Sequence, residues 1–527
     1  MNFSWDFYSK LMIISFSTLQ IARWRILPQF MDIFYHILTA WGFIQAGGYS
    51  GWDFWQYAPV GRTHIYPPFF HIVLAFLINS GIDKIILIKL FETATPIILL
   101  VTLWYFVKKN YSSRLAFFSL LMLSSSSSFY GALLNYLPAT MSMIFGFLAF
   151  NELFKGHWLR PALLLALCFY THIGMSWFFA LSVILYGLFD KRLARQSFYI
   201  LICALALSAP VIYKQLTGLK YISITGISNE KYFCEFKPVD YLLACFYFLV
   251  LKKKDKRHRL FLAFLLASLI FLPYPYRFIN AQGYLPIIFL SAATLDYLCS
   301  PRPCAQGRGE KFWNKGVFLK LVPFFSVGYV LLFSPTVIME KDILKSSKPK
   351  YRVAIADSAL ANLLLSERNQ RISSSLVWFP DEYMSLAQVI KQNSDEGDII
   401  YSTLYLAGIT VSSMSERPTA NGLFPEIAPS EKFDPILAAK IIIVPQDEDM
   451  ERFNVTVRKY HLKKIGENKL FIVYKNFFKL AKVHPKKAAV PFKTIYLILA
   501  LLVLLFLFAG KIENFVSSFF IDGLDYT

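Results

Sequence analysis

Ionisable and aromatic side chains crowd into one stretch near the start of this 527-residue chain. It reads Asp32-Ile33-Phe34-Tyr35-His36, then Trp52-Asp53-Phe54-Trp55, then Gly61-Arg62-Thr63-His64-Ile65-Tyr66-Pro67-Pro68-Phe69-Phe70-His71. An acid beside an acceptor hydroxyl can serve as a general base. An arginine fork grips two phosphate oxygens with parallel hydrogen bonds. A base next to phosphate-binding cations suits the transfer of a group from a phosphate-linked donor, in which the phosphate leaves. Downstream, Glu92, His172 and the turn Leu272-Pro273-Tyr274-Pro275-Tyr276-Arg277-Phe278 add groups of the same kinds.

Each residue also has a plainer reading. Asp32 could cap a helix that begins at Ile33. Against that, a surface helix over Asp32–Ala46 would present Asp32 and His36 on one face. Asp53 lies in a Trp- and Gly-rich turn that it could simply help to form. Arg62 and His64 could touch lipid headgroups, Glu92 could be neutralised within its own helix, and His172 could be a satisfied bundle histidine. Arg277 is partly expected of any helix end, although its Tyr-Pro-Tyr setting favours a phosphate.

The elements that must position these groups are mostly hydrophobic. The chain is 56% hydrophobic and 17% aromatic, with mean hydropathy +0.46, which excludes an ordinary soluble domain. Its formal net charge of +20 comes from 54 Lys and Arg against 34 Asp and Glu. Most of that excess sits in short loops between apolar segments, the pattern that retains loops on the cytoplasmic side rather than one that reads nucleic acid. Lys252 to Arg259 is the densest such run. The cysteines at 168, 203, 234, 245, 299 and 304 show no metal spacing and no disulfide framework. Met1 to Tyr8 carries no positive charge, so no cleavable signal is expected.

Hydropathy predicts an α-helical polytopic membrane protein of about twelve spans, each near bilayer length. The first covers about 9–28. The first outer loop, 29–85, contains 66–80, which is apolar but short and is expected to lie at the interface. Charge supports this: if 66–80 does not cross, the loops 108–114, 155–160, 191–195, 252–259 and 302–315 all fall inside. The later spans are expected near 86–107, 114–130, 136–153, 161–175, 176–189, 197–212, 239–251, 260–273, 279–297, 316–334 and 491–510. A membrane module thus occupies 1–334. A small extracytoplasmic α/β domain follows at 335–490, and 491–527 holds the last helix and a cytoplasmic tail. Within the α/β domain Pro380, Asp381 and Glu382 open a helix running to about Gln392. Asp398–Ser402, Lys440–Pro445 and Lys469–Lys475 read as strands. No internal repeat supports a duplicated transporter.

On these motifs the layout of residues 1–300 resembles the GT-C superfamily of integral-membrane glycosyltransferases, which includes protein mannosyltransferases, aminoarabinose transferases and oligosaccharyltransferase catalytic subunits. Asp32-Ile33-Phe34-Tyr35-His36 looks like that group's early acid followed by an aromatic and His. Tyr66-Pro67-Pro68-Phe69-Phe70-His71 looks like its proline-led helix. The resemblance implies an inverting transferase of the plasma membrane that moves a hexosyl or pentosyl group from a polyprenyl-phosphate donor to a glycan, lipid or protein acceptor on the extracytoplasmic face. By that resemblance Asp32 would be the catalytic base and Arg277 a phosphate contact; from their own chemistry and placement, His36, Asp53, Arg62, His64 and Glu92 are the further candidates for binding substrate. The chain also departs from the group. Its 335–490 segment lacks a Trp-Trp-Asp motif, and Tyr130–Pro138 carries Asn135 but no acid. The first departure speaks against Asn-glycosylation of proteins; the second favours a monophosphate donor and no metal or other cofactor, although Asp53 and Glu92 could still ligate a divalent cation. Two other classes compete: a transporter or flippase of lipid-linked glycans, with charges at mid-membrane on broken helices, and a non-catalytic scaffold acting through the 335–490 domain.

Overall fold

Apolar segments can hide their backbone from lipid only by closing its hydrogen bonds internally, and helices dominate the protein. A computed structural model describes residues 4–25, 27–28, 32–126, 129, 137–224, 232–250, 256–273, 275–299, 336–341, 350–354, 379–423, 427–446, 448, 450–478 and 482–521. The membrane module begins with α1 (Trp5–Ala22), α2 (Asp32–Ala46), α3 (Phe69–Asn79), α4 (Lys84–Asn110) and α5 (Ser113–Ser124). It continues with α6 (Leu137–Phe154), α7 (Leu159–Thr171), α8 (Ile173–Phe189) and α9 (Lys191–Gly218), then α10 (Pro238–Val250), α11 (Lys256–Ser268), α12 (Pro275–Asn280) and α13 (Leu285–Leu298).

Five described segments are long and apolar enough to cross a bilayer: Lys84–Asn110, Leu137–Phe154, Lys191–Tyr221, Arg277–Leu298 and Phe492–Asn514. The helices expected to cross near 114–130, 161–175, 176–189, 239–251 and 260–273 are present and apolar but shorter. The expected span 316–334 lies outside the described residues. The α3 helix has 11 residues and rises about 16 Å, half a hydrocarbon core. That length fits the interfacial segment expected at 66–80.

Contacts fix which helix ends lie together. Arg114 pairs with Asp296 at 2.6 Å, Lys108 with Asp6 at 2.8 Å, and Arg259 with Asp190. At this same end Glu513 binds His157 at 2.6 Å and caps α7, accepting from the backbone N–H of Trp158 and Leu159 at 3.0 and 2.6 Å. The basic loops around 108–114, 155–160, 191–195 and 259 therefore share one end of the bundle. Asp32, His172 and Arg277 lie toward the other.

That other end is covered by a small α/β unit built from α14 (Pro380–Asn393), α15 (Tyr405–Ser415), the short α16 (Pro435–Ala438) and α17 (Met450–Lys459), before the final helix α18 (Phe492–Ile521). Among its strands, β8 (Ile400–Ser402) is parallel to β10 (Ile441–Pro445). β12 (Phe471–Lys475) runs antiparallel to both β10 and β11 (Lys463–Glu467). The Ile-Ile-Ile-Val-Pro sequence of β10 is buried throughout, as a central strand of β-branched residues should be. The three strands and one helix expected here correspond to β8, β10, β12 and α14. Sequence reading missed α15, α17 and β11. The α15 helix has no amphipathic period because nearly every residue in it is buried.

The reason for that burial is that α15 packs on α2, so the first loop and the α/β unit share one core. Ile33, Phe34, Ile37, Phe70 and Leu74 join Tyr383, Leu386, Val411 and Ile441 in a single cluster. Backbone bonds reinforce it. The Tyr57 N–H donates to the Asn421 carbonyl at 3.1 Å, and the N–H groups of Thr419 and Ala58 donate to Trp55 and Thr419 carbonyls at 3.0 Å each. A short ladder of β1 (Gly48–Tyr49) with β13 (Val490–Pro491) adds to this, and β4 (Ile222–Ile224), after α9, pairs with β9 (Ile427–Pro429); a separate antiparallel sheet joins β5 (Tyr232–Phe236), β6 (Thr336–Lys341) and β7 (Lys350–Ala354). Lys84 at the start of α4 pairs with Glu416 at 2.6 Å.

Trp55 is fully buried against α2 at Gly42, where an added Cβ would come within 2.1 to 2.6 Å of the indole ring. The rigid ring cannot yield that distance without moving the loop. Gly42→Ala should destabilise the protein by about 1–3 kcal/mol, read as a lower thermal unfolding midpoint in detergent than that of wild type.

Candidate active site

A short hairpin brings three of the expected residues together. Strand β2 (Trp52–Asp53) pairs antiparallel with β3 (Arg62–Thr63), placing Asp53 opposite Arg62. Gly61 makes the approach at φ +69, with Trp52 too close to admit a Cβ. The Asp53 carboxylate then accepts from Arg62 Nε at 3.1 Å and meets His64 Nδ1 at 2.5 Å. Arg62 also donates from Nη1 to the Leu423 carbonyl of the α/β unit at 3.0 Å, and its guanidinium lies 5.0 Å from the Tyr57 ring centre.

All three side chains are buried: Asp53, Arg62 and His64 are 1%, 2% and 1% exposed. Sequence reading took them for substrate or headgroup contacts. The structure turns them inward, onto each other. Burial pushes the Asp53 carboxyl up, but His64 and Arg62 outweigh it and hold it below its ordinary value. Burial lowers the Arg62 guanidinium, and Asp53 more than restores it.

Asp32 and His36 meet as the helical spacing predicts. They lie one turn apart on α2, with Asp32 Oδ2 3.7 Å from His36 Nε2. The other ring nitrogen of His36, Nδ1, is 2.8 Å from His71 Nε2 on α3. Helices α2 and α3 are thus joined through their imidazoles. Tyr66, in the turn before α3, packs edge-on to Tyr35 and His36, and its ring centre is 6.4 Å from that of His172. His172 sits between α7 and α8 and caps α8 by accepting from Met175 N–H at 3.1 Å.

Arg277 in α12 belongs to this group. Burial raises the Tyr66 hydroxyl well above its ordinary value; the Asp32 charge raises it further, and Arg277 opposes. The charge of Arg277 is also felt at His172. An acid and a guanidinium therefore act on one tyrosine in opposite directions. Tyr274 lies outside the described residues.

Glu92 is in different company. It is buried in α4, where its backbone carbonyl accepts from the Gln20 side chain at 2.9 Å, and Gln20 in turn accepts from Arg23 at 2.8 Å. Among the described residues, no group of three or more His, Cys, Asp or Glu side chains converges as a metal site.

Two features escaped sequence reading. Tyr66 stood out there only as the lead-in to a proline-started helix. A second polar cluster joins Lys237, Asp240 and Tyr284, with Lys237 and Asp240 at 3.9 Å and both buried. Its signal was available: a Lys and an Asp three residues apart at the head of an apolar run.

No protein-family model matches the chain, and no curated protein matches its sequence. Solved structures similar to it include ArnT from Cupriavidus metallidurans bound to undecaprenyl phosphate. That pair shares 11% identity and a TM-score of 0.48, over 89% of this chain and 98% of that one. The archaeal oligosaccharyltransferase AglB from Archaeoglobus fulgidus, in complex with an inhibitory peptide and a dolichol-phosphate, is similar at 10% identity and a TM-score of 0.49. There the match covers 86% of this chain and 71% of that one. At these identities and scores the likeness assigns no residue and no activity to this chain.

Removing Asp53 strands a buried guanidinium. Asp53→Asn should cost about 3–5 kcal/mol at neutral pH. Because Asp53 is held below its ordinary value, its contribution is complete above about pH 4 and fades as pH falls through the lowered value. Unfolding midpoints of wild type and variant, measured against pH, should therefore converge in acid. A gap that widens in acid would contradict the assignment.

Proposed function

We propose that this protein is a membrane glycosyltransferase that moves a sugar from a polyprenyl-phosphate donor to an acceptor on the extracytoplasmic face. The observation behind the reading is that Asp32 lies against His36 on α2, packed edge-on by Tyr66, and that the charges of Asp32 and Arg277 both act on Tyr66, at the end of the bundle away from the basic loops. The GT-C resemblance of the Asp32–His36 and Tyr66–His71 motifs supports it from the sequence side.

Asp32 removes the acceptor's hydroxyl proton as that oxygen attacks the anomeric carbon. The bond from that carbon to the phosphate oxygen breaks on the opposite face, so configuration inverts. Arg277 receives the developing phosphate charge, which a fixed guanidinium stabilises strongly in a cleft that excludes water. His36 orients the Asp32 carboxylate. We assign phosphate binding to Arg277 rather than to Arg62 or His64, because those two are spent on Asp53. Asp53, Arg62 and His64 act at one remove, holding the first loop to the α/β unit. The step needs no metal, since the proton goes to a carboxylate and the leaving charge to a guanidinium.

The test compares cell-envelope glycans by mass spectrometry in cells carrying wild type, no protein, Asp32→Asn or Arg277→Ala. Loss of a general base lowers a rate by about 10²–10⁴-fold, and loss of an oxyanion donor by about 10²–10³-fold. One sugar mass should vanish in the null and fall by such factors in both variants, with each variant present in the membrane at wild-type level. A null that loses a glycan while Asp32→Asn keeps it in full would defeat the assignment of Asp32.

A further inference from the structure

The helix that carries Arg277 is too short to place itself. It has six residues, well below the ~12–15 that an isolated helix needs in water. Its position comes from the elements around it, and three contacts set it. The Tyr241 hydroxyl on α10 donates to the Ile279 carbonyl in the last turn of α12 at 3.0 Å. The Tyr284 hydroxyl, just beyond α12, donates to the Asp240 carboxylate on α10. Between them, the chain at Gly283 folds back closely on Phe278, where an added Cβ would come within 2.5 Å of the Phe278 carbonyl oxygen and 2.7 Å of its Cα.

The anchor is itself fixed. Ser291 and Thr294 on α13 donate to the Asp240 and Leu243 carbonyls of α10 at 2.6 and 2.8 Å. Asp240 and Tyr284 are buried, and the Tyr241 and Tyr284 ring centres lie 6.0 Å apart. Lys237 stands 3.9 Å from Asp240 and reaches the Ser125 carbonyl at the end of α5 at 3.5 Å. Ile279 follows Arg277 by two residues and Tyr284 follows it by seven. The chain is therefore tied to α10 both within the Arg277 helix and just after it.

We propose that Asp240, Tyr241 and Tyr284 are positioning residues for Arg277, holding α12 so that its guanidinium is oriented before a ligand arrives. The proposal rests on the reading of Arg277 as the phosphate contact. Two parallel bonds to phosphate oxygens demand a fixed fork. A group already held in its bound orientation gives up less freedom on binding, and a misplacement of about 1 Å can cost about 10²-fold in rate. Neighbouring residues on α10 divide the task. The Tyr241 hydroxyl secures the last turn of α12, and the Asp240 carboxylate secures the chain that follows it. All three act through Arg277 rather than on the phosphate.

The test uses the full-length protein in lipid nanodiscs. Farnesyl phosphate is the probe, and farnesol, which lacks the phosphate, is the control. Wild type should bind the phosphate more tightly than the alcohol, and Arg277→Ala should abolish that preference. Tyr241→Phe removes one hydroxyl and keeps the ring. It should weaken farnesyl phosphate binding about tenfold, the upper worth of one hydrogen bond, and leave farnesol binding unchanged. Combined with Arg277→Ala it should add no further loss, because Tyr241 acts through Arg277. Losses that add, or a Tyr241→Phe protein that binds the phosphate as tightly as wild type, would overturn the proposal. NMR of nitrogen-15-labelled arginine gives a second reading that needs no ligand. The Arg277 Nε–H signal, assigned by its loss in Arg277→Lys, should stand apart from those of exposed arginines and collapse toward them in Tyr241→Phe. A signal that stays in place would also overturn the proposal. If wild type shows no preference for the phosphate, the phosphate reading of Arg277 fails, while this signal still decides whether α10 holds it. A merely structural residue would lower the unfolding midpoint and move neither the double-variant comparison nor the arginine signal.

Discussion

A buried carboxylate between a guanidinium and an imidazole is the point on which this structure turns. Asp53 binds Arg62 and His64 inside the protein, and Arg62 reaches on to the Leu423 carbonyl. Taking such charges out of water costs several kcal/mol for each ion unless good geometry repays it. The repayment requires groups from two distant parts of the chain. The first loop supplies the ion pair, and the α/β unit supplies the carbonyl. A displaced loop would leave a buried guanidinium unsatisfied, so the polar contact selects one arrangement of loop and domain. The Trp55, Tyr57 and Ala58 backbone bonds to Thr419 and Asn421 extend the same lock.

Everything proposed about chemistry depends on that lock. Asp32 and His36 sit on α2, which is pinned between α3 and α15. His71 reaches His36 only because Pro68 starts α3 at the right place, with the Ile72 N–H donating to the Pro68 carbonyl at 2.9 Å. Arg277 enters from the far part of the membrane module. Tyr66 thus packs against side chains from α2 and from the α7–α8 junction, and the charge of Arg277 acts on it from α12.

The far end of the bundle is held differently. There, ion pairs and the Glu513 cap lie among the basic loops, where water is close and the charges are partly solvated. The more exposed of these pairs, such as Lys108 with Asp6, contribute little each. Their value is in registering helix ends, and the buried Glu513 cap does most to fix where α18 meets α7.

The sequence by itself determined many of the local elements. The helix over Asp32–Ala46, the short segment before α4, the strands at β8, β10 and β12, and the alternation of basic loops could all be read from period, length and charge, which are local properties. It also determined that Asp32 and His36 share a face, because helical spacing is fixed. It did not determine which way Asp53, Arg62 and His64 point. A charged residue in a loop looks the same whether it faces a ligand or a buried partner, and the partner here, the Leu423 carbonyl, lies 361 positions away in sequence. Tertiary structure also decided that α15 is a helix, since burial on all sides erases the period that would announce it. The pairing of His71 with His36, and the packing of Tyr66 between His36 and His172, were likewise tertiary decisions. They arise from packing between elements that no spacing along the chain connects.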